Sequence, residues 1–122
     1  MTDQLSNGFF SQEFKLKIPD GDDRIRRVCS HCQFVDYINP KIIAASVVTK
    51  GSKILLCRRA IDPRKGFWTL PAGFMEQGET VEEAARREAR EEANAEIRID
   101  RMLAVYSVPR ISQVQIMFRA EL

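Results

Sequence analysis

Three glutamates, Glu88, Glu91 and Glu92, stand at i, i+3 and i+4 in a stretch rich in Ala, Glu and Arg. On a helix their carboxylates emerge on one face within a single turn. Like charges at that spacing cost a helix about 0.2–0.5 kcal/mol per pair, so the arrangement calls for full exposure to water or for a cation. Clustered oxygen ligands suit hard ions: Mg2+ or Mn2+ binds through a few carboxylates and keeps other positions for water and substrate phosphate. Arg87 stands one residue before Glu88 and four before Glu91, where it can pair with the cluster and orient its carboxylates. Taken alone, an acidic and basic helix of this kind is more often a solvated face than a site.

The helix that must position these residues has both ends written in its sequence. Thr80 followed three residues later by Glu83 matches a capping box, and Asn94 tolerates the left-handed conformation of a C-terminal cap, which predicts a helix over Val81–Ala93. Its other face carries Val81, Ala85 and Ala89 with Ala84 nearby, small enough to pack closely on a sheet. The β-branched run Ile42 to Thr49, the turn residues Lys50-Gly51-Ser52 and a second apolar run from Lys53 to Arg59 predict a hairpin. Phe67 to Leu70 reads as a short strand. Ile97 to Val108 and Val114 to Leu122 read as two more, separated by Pro109 and Ser112-Gln113. From Met1 to Pro40 the sequence is polar and turn-rich, with Pro19-Asp20-Gly21-Asp22 as a turn signal and no sustained hydrophobic period. The expected organisation is an N-terminal extension over 1–40 and an α/β (α+β) domain over 41–122.

At 122 residues and 14.0 kDa the chain has room for one core with a small appendage. The longest uncharged apolar stretch, Ile42 to Val48, is far short of a membrane span. Met1 to Phe10 lack the basic start and apolar run of a secretory signal. The expected location is therefore the cytoplasm, or an organelle if a transit segment has been removed. A formal net charge of +2 is too even to recruit nucleic acid or anionic lipid by bulk electrostatics, so neither is an expected partner and any anion must be held locally. Cys29 and Cys32 form a C-x-x-C, which reads as a metal knuckle or redox pair before a structural disulfide, and suits a reducing compartment. Cys57, inside a predicted strand, reads as a packed thiol rather than a nucleophile. His31, the sole histidine, reads as a surface residue.

The run Gly73, then Glu79, then Arg87-Glu88-Ala89-Arg90-Glu91-Glu92-Ala93-Asn94-Ala95 resembles the Nudix box, G-x5-E-x7-R-E-U-x-E-E-x-G-U with U aliphatic. It departs at one fixed position, Asn94 standing where the family has glycine. The resemblance extends through Ile38-Asn39-Pro40-Lys41, Leu55 to Arg59 and Gly66 to Gly73, and spans roughly Asn39 to Leu122. It implies a Nudix α/β/α sandwich with a mixed sheet, here expected to lack the C-terminal strand and helix, which would leave apolar surface that favours a homodimer. It also implies Glu88, Glu91, Glu92 and the Gly73 carbonyl as ligands of Mg2+ or Mn2+, and Glu92 or Glu88 as the base. Arg87 would orient the carboxylates and Glu79 would be an accessory acid.

Arg58 or Arg59 is the expected substrate contact among the basic residues, with Phe67 and Trp68 near an adenine or the sheet and Trp68 favoured for the core. Ile18 to Cys32 followed by Asp36 to Pro40 resembles the second half of the zinc ribbon in a Nudix subgroup that hydrolyses ADP-ribose and FAD. Cys29 and Cys32 are thus a candidate half of a Zn2+ site, and the stretch Asn7 to Phe10, where the other half falls, contains no cysteine. The implied activity is hydrolysis of a nucleoside diphosphate derivative, ADP-ribose or FAD, to AMP and the phosphorylated remainder. The alternatives are NADH or a damaged nucleoside triphosphate as substrate, or a non-catalytic binding module on the same fold.

Overall fold

In the computed structural model, which describes residues 13–122, the chain folds as two units that part between Asn39 and Pro40. The first carries three short antiparallel strands, β1 (Phe14–Lys17), β2 (Arg26–Cys29) and β3 (Val35–Asp36), in that spatial order. Sequence periodicity misses them for a physical reason: β1 and β2 are four residues long, and of their side chains only Val28 and Cys29 are buried. Other contacts hold this unit together. Asp22 accepts a hydrogen bond from Arg26 Nε at 3.0 Å in the turn that follows Pro19. The Arg27 guanidinium lies over the Phe14 ring, 4.6 Å from its centre, and that of Arg26 over Tyr37 at 5.1 Å. Each cation on an aromatic face contributes about 0.5–1 kcal/mol at an exposed site.

The second unit is built on a mixed sheet. Its spine is β4 (Lys41–Lys50), the apolar run expected from sequence. The Lys50-Gly51-Ser52 turn delivers β5 (Lys53–Ile54) antiparallel to it, with Thr49 opposite Ile54. The predicted second strand, Lys53 to Arg59, does not continue along β4. It breaks after Leu55, whose amide still reaches Val48 O at 2.9 Å. The cause is competition for one edge, because β8 (Ala72–Phe74) already pairs with Ile43 to Ala45 of β4. The chain therefore turns away as β6 (Cys57–Arg58) and pairs with β7 (Trp68–Thr69) in a separate hairpin.

The helix α1 (Val81–Ala93) has the predicted limits. Thr80 Oγ1 accepts from the Glu83 amide at 3.1 Å, and Glu83 Oε1 accepts from the Thr80 amide at 2.7 Å, so two of the orphan amides of the first turn are satisfied. Asn94 closes the other end at φ 51°, its amide bonded to Arg90 O at 2.9 Å. Buried Ala84, Ala85 and Ala89 seat the helix against Ala44, Val48, Phe118 and Ala120 of the sheet.

After α1 come β9 (Arg98–Val108), a single turn of 3-10 helix at Pro109–Ile111, and β10 (Gln113–Glu121). The sheet order is β5-β4-β10-β9: β10 lies parallel to β4 along nine residues and antiparallel to β9. The expectation of a sheet short of its C-terminal strand is thereby corrected, since the last strand of the chain fills the middle of the sheet. Of the helical layers expected for a sandwich, α1 is the one α-helix among the described residues. No helix there is long and apolar enough to cross a membrane.

The capping box is open to a direct test. Thr80→Ala removes the side-chain acceptor and should lower unfolding free energy by about 1 kcal/mol in urea titration; an unchanged midpoint would mean that the box contributes nothing.

Candidate active site

Arg87 organises the acidic face of α1. Its Nε and Nη2 donate to the two oxygens of Glu79 at 3.0 and 2.7 Å, a planar fork on a carboxylate. Nη1 donates to Glu88 at 2.9 Å and to Glu91 at 3.2 Å, and Nη2 also reaches Phe74 O at 3.0 Å. One guanidinium thus joins the loop between β8 and α1 to the helix itself. Glu79 is further held by the Glu76 amide at 2.8 Å. The Arg87 fork, aided by that amide, holds the Glu79 carboxyl down at about 2, against 4.5 for an ordinary glutamate. The same bonds raise the Arg87 pKa, Glu79 contributing most.

Glu88, Glu91 and Glu92 do share one turn, as their spacing predicts, but Glu88 and Glu91 turn to Arg87 and Glu92 turns to a backbone amide. Glu88 is buried between Arg87 and the backbone of Gly73, and a Cβ built on Gly73 would collide with the Glu88 carboxylate. Glu91 is exposed and paired with Arg87. Glu92 accepts a hydrogen bond from the Ala72 amide at 3.0 Å. Loss of water around it pushes its carboxyl above the ordinary range; the charges of Glu88 and Glu91 add to this, while the Ala72 amide and Arg59 oppose it. Among the described residues no three His, Cys, Asp or Glu side chains converge as a ready-made metal cage. The donor set nonetheless fits a hard cation: oxygen ligands only, surplus negative charge, and a glycine that leaves room for the innermost carboxylate.

A cleft of about 500 Å3 opens beside this turn, with Glu91 and Glu92 on one wall and Cys57, Arg58 and Arg59 on the other. Glu79 and Arg87 lie outside its lining. Both predicted substrate arginines are tethered through Nε alone, Arg58 to Gly66 O at 3.1 Å and Arg59 to Pro63 O at 2.6 Å. Cys57 is half-buried, and burial with the nearby Glu92 charge pushes its thiol pKa up, which suits packing and not nucleophilic attack. Trp68, expected in the core, is 63% exposed, and Phe67 is 62% exposed. The misplacement follows from the break after Leu55, which puts β7 on a hairpin outside the main sheet.

In the first unit, Cys29 is buried and Cys32 exposed, both as free thiols. The backbone amides of Cys32 and His31 hold the Cys29 thiol below its usual range. His31 Nε2 lies 3.5 Å from Glu13 Oε1. The described residues therefore supply two thiols toward a four-coordinate zinc site and do not complete one. The stretch Asn7 to Phe10 lies outside the described residues.

The NUDIX domain profile matches residues 40–120 and the Nudix N-terminal zinc-ribbon profile residues 11–38. The chain belongs to the Nudix hydrolase family and carries its N-terminal zinc-ribbon extension. It is 44% identical over 73 residues to an ADP-ribose pyrophosphatase of Methanocaldococcus jannaschii, covering 60% of this chain and 43% of that protein. It is 40% identical over 86 residues to the NAD-capped RNA hydrolase NudC of Haemophilus influenzae, covering 67% of this chain and 32% of that protein. A crystal structure of a NUDIX hydrolase from Nitrosomonas europaea superposes with a TM-score of 0.86 at 50% identity, over 91% of this chain and 63% of that one. The chain thus spans less than half the length of these curated relatives.

Because the Glu79 carboxyl is depressed in the folded state, its ion pair stabilises fully above the ordinary value of 4.5 and is lost as pH falls through about 2. Denaturant midpoints taken across that window should fall more steeply for wild type than for Glu79→Gln. Parallel curves would show that the pair is not formed in solution.

Proposed function

We propose that this chain hydrolyses the pyrophosphate linkage of a nucleoside diphosphate derivative, ADP-ribose or FAD, releasing AMP and the phosphorylated remainder. The observation that carries the reading is the single helical turn of Glu88, Glu91 and Glu92 set against a cleft whose facing wall holds Arg58 and Arg59. The names of the archaeal and bacterial relatives point to the same bond: ADP-ribose in one, an NAD cap in the other. NADH is the second reading, favoured by a 38% match over 72 residues to human mitochondrial NAD(P)H pyrophosphatase NUDT13.

Three carboxylates repel a diphosphate unless cations stand between them. Mg2+ held by Glu88, Glu91 and Glu92, with the Gly73 carbonyl beside them, would neutralise the phosphates and acidify an attacking water. Arg87 and Glu79 serve as positioning residues that hold Glu88 and Glu91 in place. Glu92, its affinity for a proton raised by its surroundings, is suited to take the proton of that water. Arg59, with Nε committed to Pro63 O, presents its remaining guanidinium nitrogens to a phosphate oxygen. The water oxygen bonds to one phosphorus, the bond from that phosphorus to the bridging oxygen breaks, and each product leaves with one phosphate.

Glu92→Gln should reduce Mg2+-dependent turnover of ADP-ribose by two or more orders of magnitude while leaving the melting temperature nearly unchanged. Wild-type protein that binds ADP-ribose without turning it over would instead identify a binding module. Gly73→Ala would drive its Cβ into the Glu88 carboxylate. Its expected signature is a loss of about 10- to 100-fold in kcat/KM with stability retained; full activity in that variant would remove Glu88 from the ligand set.

A further inference from the structure

In the middle of β4, Ser46 is fully buried, and among the described residues its hydroxyl is the one buried side-chain polar atom without a hydrogen-bond partner. A hydroxyl removed from water and left unmet destabilises a fold, whereas alanine would fill the same place without that cost. Buried polar groups in folded proteins are as a rule satisfied, so an orphan at the centre of a sheet points to a role outside folding.

The register locates this hydroxyl. Side chains alternate along a strand, so Ser46 shares a face with Ala44 and Val48. Ala44 packs with Ala84 and Ala85 of α1, and Val48 packs with Ala89. Ser46 therefore lies beneath the span of helix from Ala85 to Ala89, the turn on which Glu88 stands. The neighbouring strand marks the same corner: Gly73 of β8 is opposite Ala44, and the Ser46 amide donates to Pro71 O at 3.1 Å just ahead of β8. Gly73 is also the residue whose backbone the Glu88 carboxylate lies against. Helix, β4 and β8 thus bring the orphan hydroxyl and the most buried of the three acids to one corner of the fold.

Glu88 faces a conflict that a neutral donor resolves. Its Oε2 accepts from Arg87 Nη1 at 2.9 Å, and a carboxylate committed to one cation binds a second less well, because the two positive charges repel across it. Service to a metal ion therefore draws Glu88 away from Arg87. At 9% exposure, water is poorly placed to replace the bond that is loosened. A hydroxyl on the sheet side replaces it without adding charge, in the way that outer hydrogen-bond partners orient metal-binding carboxylates.

We propose that Ser46 is a positioning residue for Glu88, its hydroxyl steadying that carboxylate from the sheet side when Glu88 serves a divalent cation. This rests on the reading of the acidic turn as the metal-binding site. It separates two effects that a purely structural serine would join: the hydroxyl is dispensable for folding and is used in cation binding.

Mn2+ binding to the full chain without nucleotide, followed by electron paramagnetic resonance of the free ion, reads this role apart from turnover. Ser46→Ala should weaken Mn2+ by about tenfold, while its melting temperature without divalent ions stays equal to or above that of wild type. Ser46→Thr keeps the hydroxyl and should keep wild-type affinity. In turnover of ADP-ribose, the alanine variant should need about tenfold more Mg2+ for half-maximal rate.

Unchanged Mn2+ affinity in Ser46→Ala, a melting temperature that falls together with affinity, or loss of affinity in Ser46→Thr as in Ser46→Ala would each overturn the proposal. The two readings fail separately. Mn2+ bound equally by wild type and Ser46→Ala, and lost in Glu92→Gln, keeps the metal site and removes the role of Ser46; a wild type that binds no Mn2+ removes both.

Discussion

The acidic turn depends on one guanidinium. Arg87 serves three carboxylates and a carbonyl at once, and two of those carboxylates, Glu79 and Glu88, are only 15% and 11% exposed. Water cannot take over the role of Arg87 there, because a carboxylate so far removed from solvent needs a fixed partner. The arrangement also joins separate elements of the chain. Phe74 ends β8, Glu79 belongs to the loop that follows, and Glu88 and Glu91 belong to the helix, so a single side chain determines how the loop lies on the turn that carries the acids. Arginine is suited to this where lysine is not, since its planar fork binds both oxygens of Glu79 and still has donors left over.

Packing and chemistry at this corner share a cause. Alanines at 84, 85 and 89 let α1 settle close to β4 and β10, and closeness leaves little room between the helix and β8. Gly73 is the accommodation, its missing side chain making space for the Glu88 carboxylate. Glu92 is drawn near the Ala72 amide by the same approach and loses part of its water. A helix with a bulkier face would stand further out, and its acids would behave as ordinary surface glutamates.

Much of this was legible in the chain because it is specified locally. Thr80, Glu83 and Asn94 mark the helix ends through bonds within a few residues of themselves, and the spacing of Glu88, Glu91 and Glu92 follows from helical geometry alone. The long strands β4, β9 and β10 announced themselves by composition. What escaped was decided at a distance. The split of the second strand depends on β8 taking the edge of β4, a contact between segments nearly thirty residues apart in the sequence. The exposure of Trp68 follows from that split, and no property of Trp68 or its neighbours signals it. The strands of the first unit were too short and too exposed to leave a periodic trace.

The place of β10 has a temporal side. Parallel pairing with β4 joins residues about seventy positions apart, and such long closures are slow to form. During folding, α1 forms from local bonds well before β10 brings Phe118 and Ala120 to receive its alanines. Until then the glutamates ride on a helix with half of its seat missing. The folding chain therefore passes through an interval in which the acidic turn is formed but not yet seated, and competence arrives with the strand that closes the centre of the sheet.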